Sequence, residues 1–296
     1  MTIQLVCTPR ALPEHLRIAA AERAIAHNPA NRPHSLVVAH ALGPNPPKAR
    51  IALLTAKRWK VLPAGLVLTV GFLETASAAL RNRILSHMNA WTKTANISFR
   101  ESKDHPKVRI AFATSPPDMA GYWSYEGTDI LSIPDNEPTM NLESFSIKTP
   151  ISEYHRVVRH ETGHTLGFPH EHMRAELVNL IDRDKAIKFF GATQGWSASE
   201  VEAQVLTPIE QSTIIGTTPD QMSIMCYQIP GSITKSGKPI VGGLDIDKSD
   251  YAFAGSVYPK PAKPTKPKAS KPAGKRVAPK PAGRRVAKKA GAKNRR

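Results

Sequence analysis

The stretch His160-Glu161-Thr162-Gly163-His164-Thr165-Leu166-Gly167-Phe168-Pro169-His170 decides how this chain is read. His160 and His164 stand four apart, so a helix through them puts both imidazoles on one face, one turn apart, close enough to share a metal ion. Gly167 then ends the helix. A residue without Cβ lets the chain turn sharply and bring His170 back to the same metal. Three neutral imidazole nitrogens leave the fourth place on a zinc ion open for water, which is the pattern of a catalytic site. Glu161 follows the first ligand and is rotated beside the metal rather than onto it, where it can take a proton from that water. A bare HExxH is a weak signal in a chain with 11 histidines. The glycine and the third histidine at fixed offsets make it specific. The competing reading is a polar helix face carrying three solvated or hydrogen-bonded histidines.

Outward from this stretch, Thr149-Pro150 predicts the start of the zinc helix, with Thr149 as cap and Pro150 at the first helical position. Upstream, Leu66 to Leu73 predicts a strand and Ala76 to Thr92 a helix with Leu80, Ile84, Leu85, Met88 and Trp91 on one side. Ile97 to Phe99 and Val108 to Ala113 predict two more strands, and the alternation in Gly121 to Ile133 fits an edge strand. Downstream, a helix is expected within Arg183 to Phe190, and Ser197-Ala198-Ser199-Glu200 spells a capping box. The order of elements gives an α+β fold built on a twisted mixed sheet.

The string from His160 to His170 matches HExxHxxGxxH, the zinc signature of the metzincin metalloproteases. Its continuation, Gly167 to Arg174, resembles the astacin pattern GFxHEQxR, and Asp220 to Tyr227 resembles the astacin Met-turn DxxSIMHY. The resemblance runs from about Trp59 to Pro259. It implies a zinc endopeptidase whose active-site helix lies above the cleft and whose lower half is mostly irregular or helical. One catalytic zinc would be held by His160, His164 and His170, with Glu161 as the base. Met225 would form the floor beneath the metal, and Tyr227 would stabilise the oxyanion. Glu171 would anchor structure away from the metal. An extended peptide or protein substrate would pair with an edge strand. The chain departs from the pattern at His172, where the family carries Gln, at Cys226, where it carries His, and in extra residues between Arg174 and Asp182. His172, two positions past a ligand, is expected beside the ligands or facing solvent.

The two ends lie outside the resemblance. Residues 1–48 form a leader, residues 49–259 the catalytic domain and residues 260–296 a tail. The chain carries 41 Lys or Arg against 24 Asp or Glu, and 15 of the basic residues fall in the tail, which has no acid. The tail is Pro-rich and poor in apolar surface, so it is expected to stay disordered. It would either neutralise phosphates on nucleic acid or an anionic surface, or act as a solvated solubilising segment. A non-catalytic anchoring or nucleic-acid-binding protein working through this tail is the alternative function, and the intact Glu161 argues against it. Astacin leaders use an Asp to block the zinc; residues 1–58 contain none. The leader is therefore expected to be a spacer and Cys7 a plain thiol, with a thiolate plug at the metal as the alternative. Two cysteines exclude a disulfide scaffold. The longest apolar run, Val61 to Leu73, is interrupted by Pro63 and Gly65 and is too short to span a membrane. With no secretory apolar region in the first 30 residues, the protein is expected to be cytoplasmic by default or exported by another route; separately, a monomer is expected.

Overall fold

Leu66–Phe72 forms β1, in which Leu68 and Val70 alternate into the core with no exposed surface. It pairs in parallel with β2 (Ile97–Glu101) on one side and β3 (Val108–Ala111) on the other. Parallel neighbours need a crossover, and α2 (Ala78–Met88) provides the one between β1 and β2. Ser77 caps α2 by accepting from the Leu80 amide at 3.2 Å. Leu80, Ile84 and Met88 are its buried face. The sheet continues through two three-residue strands, β4 (Tyr122–Ser124) and β5 (Met140–Leu142), in the order β2-β1-β3-β5-β4. Only β4 is antiparallel, which makes the sheet mixed and leaves β4 at its edge. The computed structural model describes residues 7–8, 10–34, 55–208 and 218–261, all within one compact unit spanning Met1–Pro261. Of the basic tail expected to be disordered, residues 262–296 lie outside the described residues.

Several local expectations shift for identifiable reasons. Gly121 to Ile133 is not one strand: β4 stops at Ser124 and Gly127–Ser132 is a 3-10 helix. Gly127 adopts φ +49 where the backbone of Lys57 passes, and a Cβ there would overlap the Lys57 carbonyl, which accepts from the Thr128 amide at 2.9 Å. The strand expected to run to Ala113 ends at Ala111, because the next two amides donate to side chains, Phe112 to Glu74 and Ala113 to Asn141. Pro150, with extended ψ 145, is the cap itself rather than the first helical residue, and Thr149 Oγ1 accepts from the Ser146 amide at 3.0 Å instead.

The zinc helix is built in three parts: α3 (Ile151–Glu153), a π-helical stretch (Tyr154–Val158) and α4 (Arg159–Thr165). Tyr154, Val157 and Val158 join Ile84, Met88 and the inner faces of the sheet in the upper core. Gly167, at φ +83, ends the helical run and sends the chain into the lower half. There α5 (Ala175–Val178) precedes α6 (Arg183–Gln194), which is capped by Asp182 and closed by Gly195 in the left-handed region. The capping box at Ser197 and Glu200 opens α7 (Ala198–Val201), and a second box, Asp247 with Asp250, opens α8 (Lys248–Val257). Leu177, Ile181, Ala186, Phe190, Val201 and Ile229 belong to a separate lower core. Met225 belongs to the upper core and Tyr227 to the lower one, so the Met-turn stitches the two together.

The end of α4 is latched from both ends of this unit. Trp59 Nε1 donates to the Thr165 carbonyl at 2.7 Å, and Tyr258 Oη donates to the Leu166 carbonyl at 2.5 Å. Those are among the last carbonyls of the helix, which would otherwise lack partners. In the leader, α1 (Glu14–His27) packs on the 3-10 segment that follows β4, and Leu12 and Ala20 join the upper core.

Candidate active site

His160, His164 and His170 converge. The Nε2 atoms of His160 and His170 are 3.1 Å apart, and those of His164 and His170 are 3.0 Å apart. His160 donates from Nδ1 to the Ile224 carbonyl at 2.6 Å, and His164 from Nδ1 to the Phe168 carbonyl at 2.8 Å. With the protons fixed on Nδ1, the Nε2 atoms of these two rings are lone-pair acceptors; the Nε2 of His170 can donate to only one of them, so the other short contact is repulsive unless a cation lies among the three. Tetrahedral zinc with bonds of about 2.0–2.1 Å spaces its nitrogens by roughly 3.3–3.4 Å, so the cluster fits the ion with a small expansion. Burial holds His164 down to about 4 and pushes His160 and His170 well below the usual imidazole range, with neighbouring imidazoles adding to the effect. Neutral rings are what a metal requires.

Glu161 is fully buried, and neither carboxylate oxygen has a hydrogen-bond partner among the described residues. Burial pushes its carboxyl up to about 8, while the facing Cys7 thiol and Arg156 act in the opposite direction. Its backbone carbonyl accepts from Ser124 Oγ at 3.0 Å, which ties the zinc helix to the edge strand β4. Tyr227 places its ring 4.3 Å from that of His170, and its pKa is raised well above the usual phenol range by burial and then by the charges of Cys7 and Glu161. His172 is fully buried, which excludes the solvent-facing option. Its Nε2 donates to the Gln204 carbonyl at 3.0 Å.

The Met-turn is fixed from α8. Asp250 accepts from Ser223 Oγ at 2.6 Å and from the Ile224 amide at 2.9 Å. Met225 Sδ lies against Gly163, where any Cβ would overlap it. Glu171 lies outside the ligand cluster; it accepts from the Asp220 amide at 3.1 Å, and its own amide donates to the Met225 carbonyl at 2.8 Å.

Cys7 is the correction. The plain thiol expected there is instead buried in the ligand cluster: Cys7 Sγ and one nitrogen each of His160, His164 and His170 all lie within 4.8 Å of one another. Sequence reading also missed Asp250, Gly163 and Ser124. Gly163 falls at a free position of the zinc motif, and only its contact with Met225 reveals why glycine stands there. Beside the cluster, a cleft of about 820 Å³ is lined by His160, Glu161, Tyr227, Phe189, Phe190 and Ile240, among others.

A mixed sheet with a helix that carries two of three convergent histidines, the third returned by the turn at Gly167 and the cluster closed from below by a Met-turn, defines the catalytic domain of a metzincin zinc metalloendopeptidase. Residues 56–241, more than half of the 296-residue chain, match the Astacin peptidase family. The chain belongs to the astacin family, and its catalytic metal is zinc. Two structures of myroilysin are similar to it. One is 30% identical with a TM-score of 0.63, covering 69% of this chain and 98% of that one. The other is 32% identical with a TM-score of 0.52, covering 69% and 86%. Zinc metalloproteinase nas-27 of Caenorhabditis elegans is 29% identical over 140 residues, or 46% of this chain. The match spans 28% of that relative's length. No helix among the described residues is long and apolar enough to cross a membrane.

Proposed function

We propose that this chain hydrolyses internal peptide bonds of protein or peptide substrates with a water molecule, at a zinc ion held by the Nε2 atoms of His160, His164 and His170. The observation that carries this reading is the convergence of those nitrogens beside a buried Glu161 with no hydrogen-bond partner. Zinc, when bound, supplies Lewis acidity toward water and the scissile carbonyl. Glu161 takes a proton from the attacking water as the carbon–oxygen bond forms. It then delivers that proton to the leaving amine as the carbon–nitrogen bond breaks. Tyr227 Oη, on the lower wall, donates to the oxygen on which charge develops. The outer edge of β4 presents the Tyr122 and Ser124 carbonyls to an extended substrate, and Phe189, Phe190 and Ile240 offer an apolar wall for one of its side chains.

In this reading residues 49–259 are the catalytic unit and residues 260–296 an accessory tail with affinity for polyanions. The test is digestion of a random peptide library by the zinc-loaded full chain and by its Cys7→Ala variant, with and without a chelator. Chelator-sensitive cleavage that disappears on Glu161→Ala is expected. No cleavage by either form overturns the proposal.

A further inference from the structure

We infer that His172 is a positioning residue for the reaction: its ring fixes where the Tyr227 hydroxyl stands beside the ligand cluster. The inference rests on the zinc reading above, since it concerns the donor to the developing oxyanion, and it adds a residue to that site. A donor helps only if it already stands where charge will appear, so whatever holds Tyr227 contributes to the rate.

The main chain at Tyr227 is held first. The Cys226 amide donates to the Ser223 carbonyl at 2.9 Å, and Ile229 and Ile240 exchange two hydrogen bonds of 3.0 and 2.9 Å. Gly242, at φ +69, passes so close that a Cβ there would meet the Tyr227 carbonyl carbon at 2.8 Å and the Gln228 amide nitrogen at 2.6 Å. With the backbone pinned, the freedom left to the phenol is rotation about its side-chain bonds. Two rings close that freedom. His170 lies 4.3 Å from the Tyr227 ring and His172 lies 3.9 Å from it, and the two imidazoles are themselves 4.9 Å apart. The contact with His172 is the flat one, 17° from parallel, whereas His170 meets the phenol at 57°. Of the two, His172 presents the face along which the phenol lies.

His172 is itself anchored from outside the cluster. It belongs to the 3-10 turn Glu171–Met173, and the Glu171 amide beside it donates to the Met225 carbonyl at 2.8 Å. Its Nε2 donates to the carbonyl of Gln204 in the π-helical segment Glu202–Leu206. Val201 and Val205, on either side of Gln204, have no exposed surface, so the tether ends in the packed lower core. With the proton on Nε2, Nδ1 is a lone-pair acceptor, and it is buried with no partner among the described residues. A ring that only filled space would be more stable as phenylalanine, which leaves no nitrogen orphaned. The imidazole supplies what phenylalanine lacks, a flat face and a tether in one side chain.

Two measurements test this. The first reads the stack in the full chain without turnover, by nuclear magnetic resonance of ring-carbon-13 tyrosine. The Tyr227 signal, identified by its absence from Tyr227→Phe, should move when the neighbouring ring is removed, in His172→Ala and in His172→Gln. The second is peptide cleavage by the zinc-loaded chain lacking residues 1–10, because in the full chain Tyr227 Oη donates to the Cys7 carbonyl. There His172→Ala should lower kcat by about 3- to 30-fold, part of the loss of the donor itself, and leave KM within about 2-fold. His172→Gln, which can keep the bond to Gln204 but has no ring, should fall as far. His172→Phe, which keeps the ring and loses the bond, should stay within about 3-fold of the original and decides the matter if the alanine variant does not fold. Made in Tyr227→Phe, where no hydroxyl remains to be placed, His172→Ala should lower kcat by less than about 2-fold. Zinc content of one ion per chain controls for damage to the ligands. A Tyr227 signal that stays in place, an unchanged kcat, a loss that falls on KM, or an equal loss with and without the hydroxyl overturns the inference. A signal that moves in a protein that cleaves nothing would overturn the hydrolytic reading instead.

Discussion

His172 stacks its ring on that of Tyr227, with centroids 3.9 Å apart and planes 17° from parallel. His172 is in turn tethered to the Gln204 carbonyl, so the phenol's position is set from beneath by the segment that follows α7. Tyr227 has no freedom to swing away from the cluster while that stack holds.

Tyr227→Phe should therefore lower kcat by about 10–1,000-fold with little change in KM, as for loss of one oxyanion donor. The measurement belongs in a chain lacking residues 1–10, because the carbonyl that accepts from the hydroxyl is main-chain and survives any side-chain change at Cys7. His172→Ala should give a smaller loss of kcat by loosening the stack. An unchanged kcat in Tyr227→Phe would mean that the ring only packs.

His164→Ala should abolish stoichiometric zinc. Metal analysis of protein purified without chelator is expected to give about one zinc per full chain and close to none for the variant. Full zinc content in the variant would show that the convergent nitrogens are not the ligands.

Glu161→Gln should keep the fold and the zinc but lower peptide cleavage by several orders of magnitude, because the amide cannot take the water's proton. Circular dichroism and metal content control for folding. Near-normal turnover would remove Glu161 from the mechanism.

His87 predicts an acid-sensitive upper core. Burial, followed by the Arg159 guanidinium, holds it down to about 4 from its usual 6.5. Between those values the unfolded chain binds the extra proton, so stability rises with pH across the window and is lost as pH falls through it. Denaturant titrations at about pH 4 and pH 6.5 should differ by about 1–3 kcal/mol more in the full chain than in His87→Gln. Parallel pH profiles for the two proteins would assign the acid sensitivity to other groups.

Deleting residues 262–296 should leave cleavage of short neutral peptides unchanged. The same deletion should remove salt-sensitive binding to DNA or anionic vesicles, which its 14 uncompensated cations would otherwise support. Filter binding at two salt concentrations measures it. Lost cleavage in the truncated protein would place the tail in the catalytic unit.

What was legible in the sequence was whatever depends on short spacing. The convergence of His160, His164 and His170, the turn at Gly167, the capping box at Ser197 and the alternation in β1 all follow from local patterns. The three-residue strand β5 was illegible, because Met140-Asn141-Leu142 is too short to show a period and is buried on both faces. The place of Cys7 was equally hidden. It depends on a leader crossing to a strand more than 100 positions later, and a single cysteine carries no spacing. Asp250 reads as part of a helix start, which it is, and nothing local shows that its carboxylate also holds the Met-turn.

The latch on α4 also bears on how the enzyme is made. Tyr258, which closes the Leu166 carbonyl, lies 92 residues further along the chain. At a synthesis rate of about 5–20 residues per second, the zinc helix leaves the ribosome roughly 5–20 s before its latch exists. Throughout that interval Trp59, made earlier, can already close the Thr165 carbonyl, so the helix end is held by half of its latch.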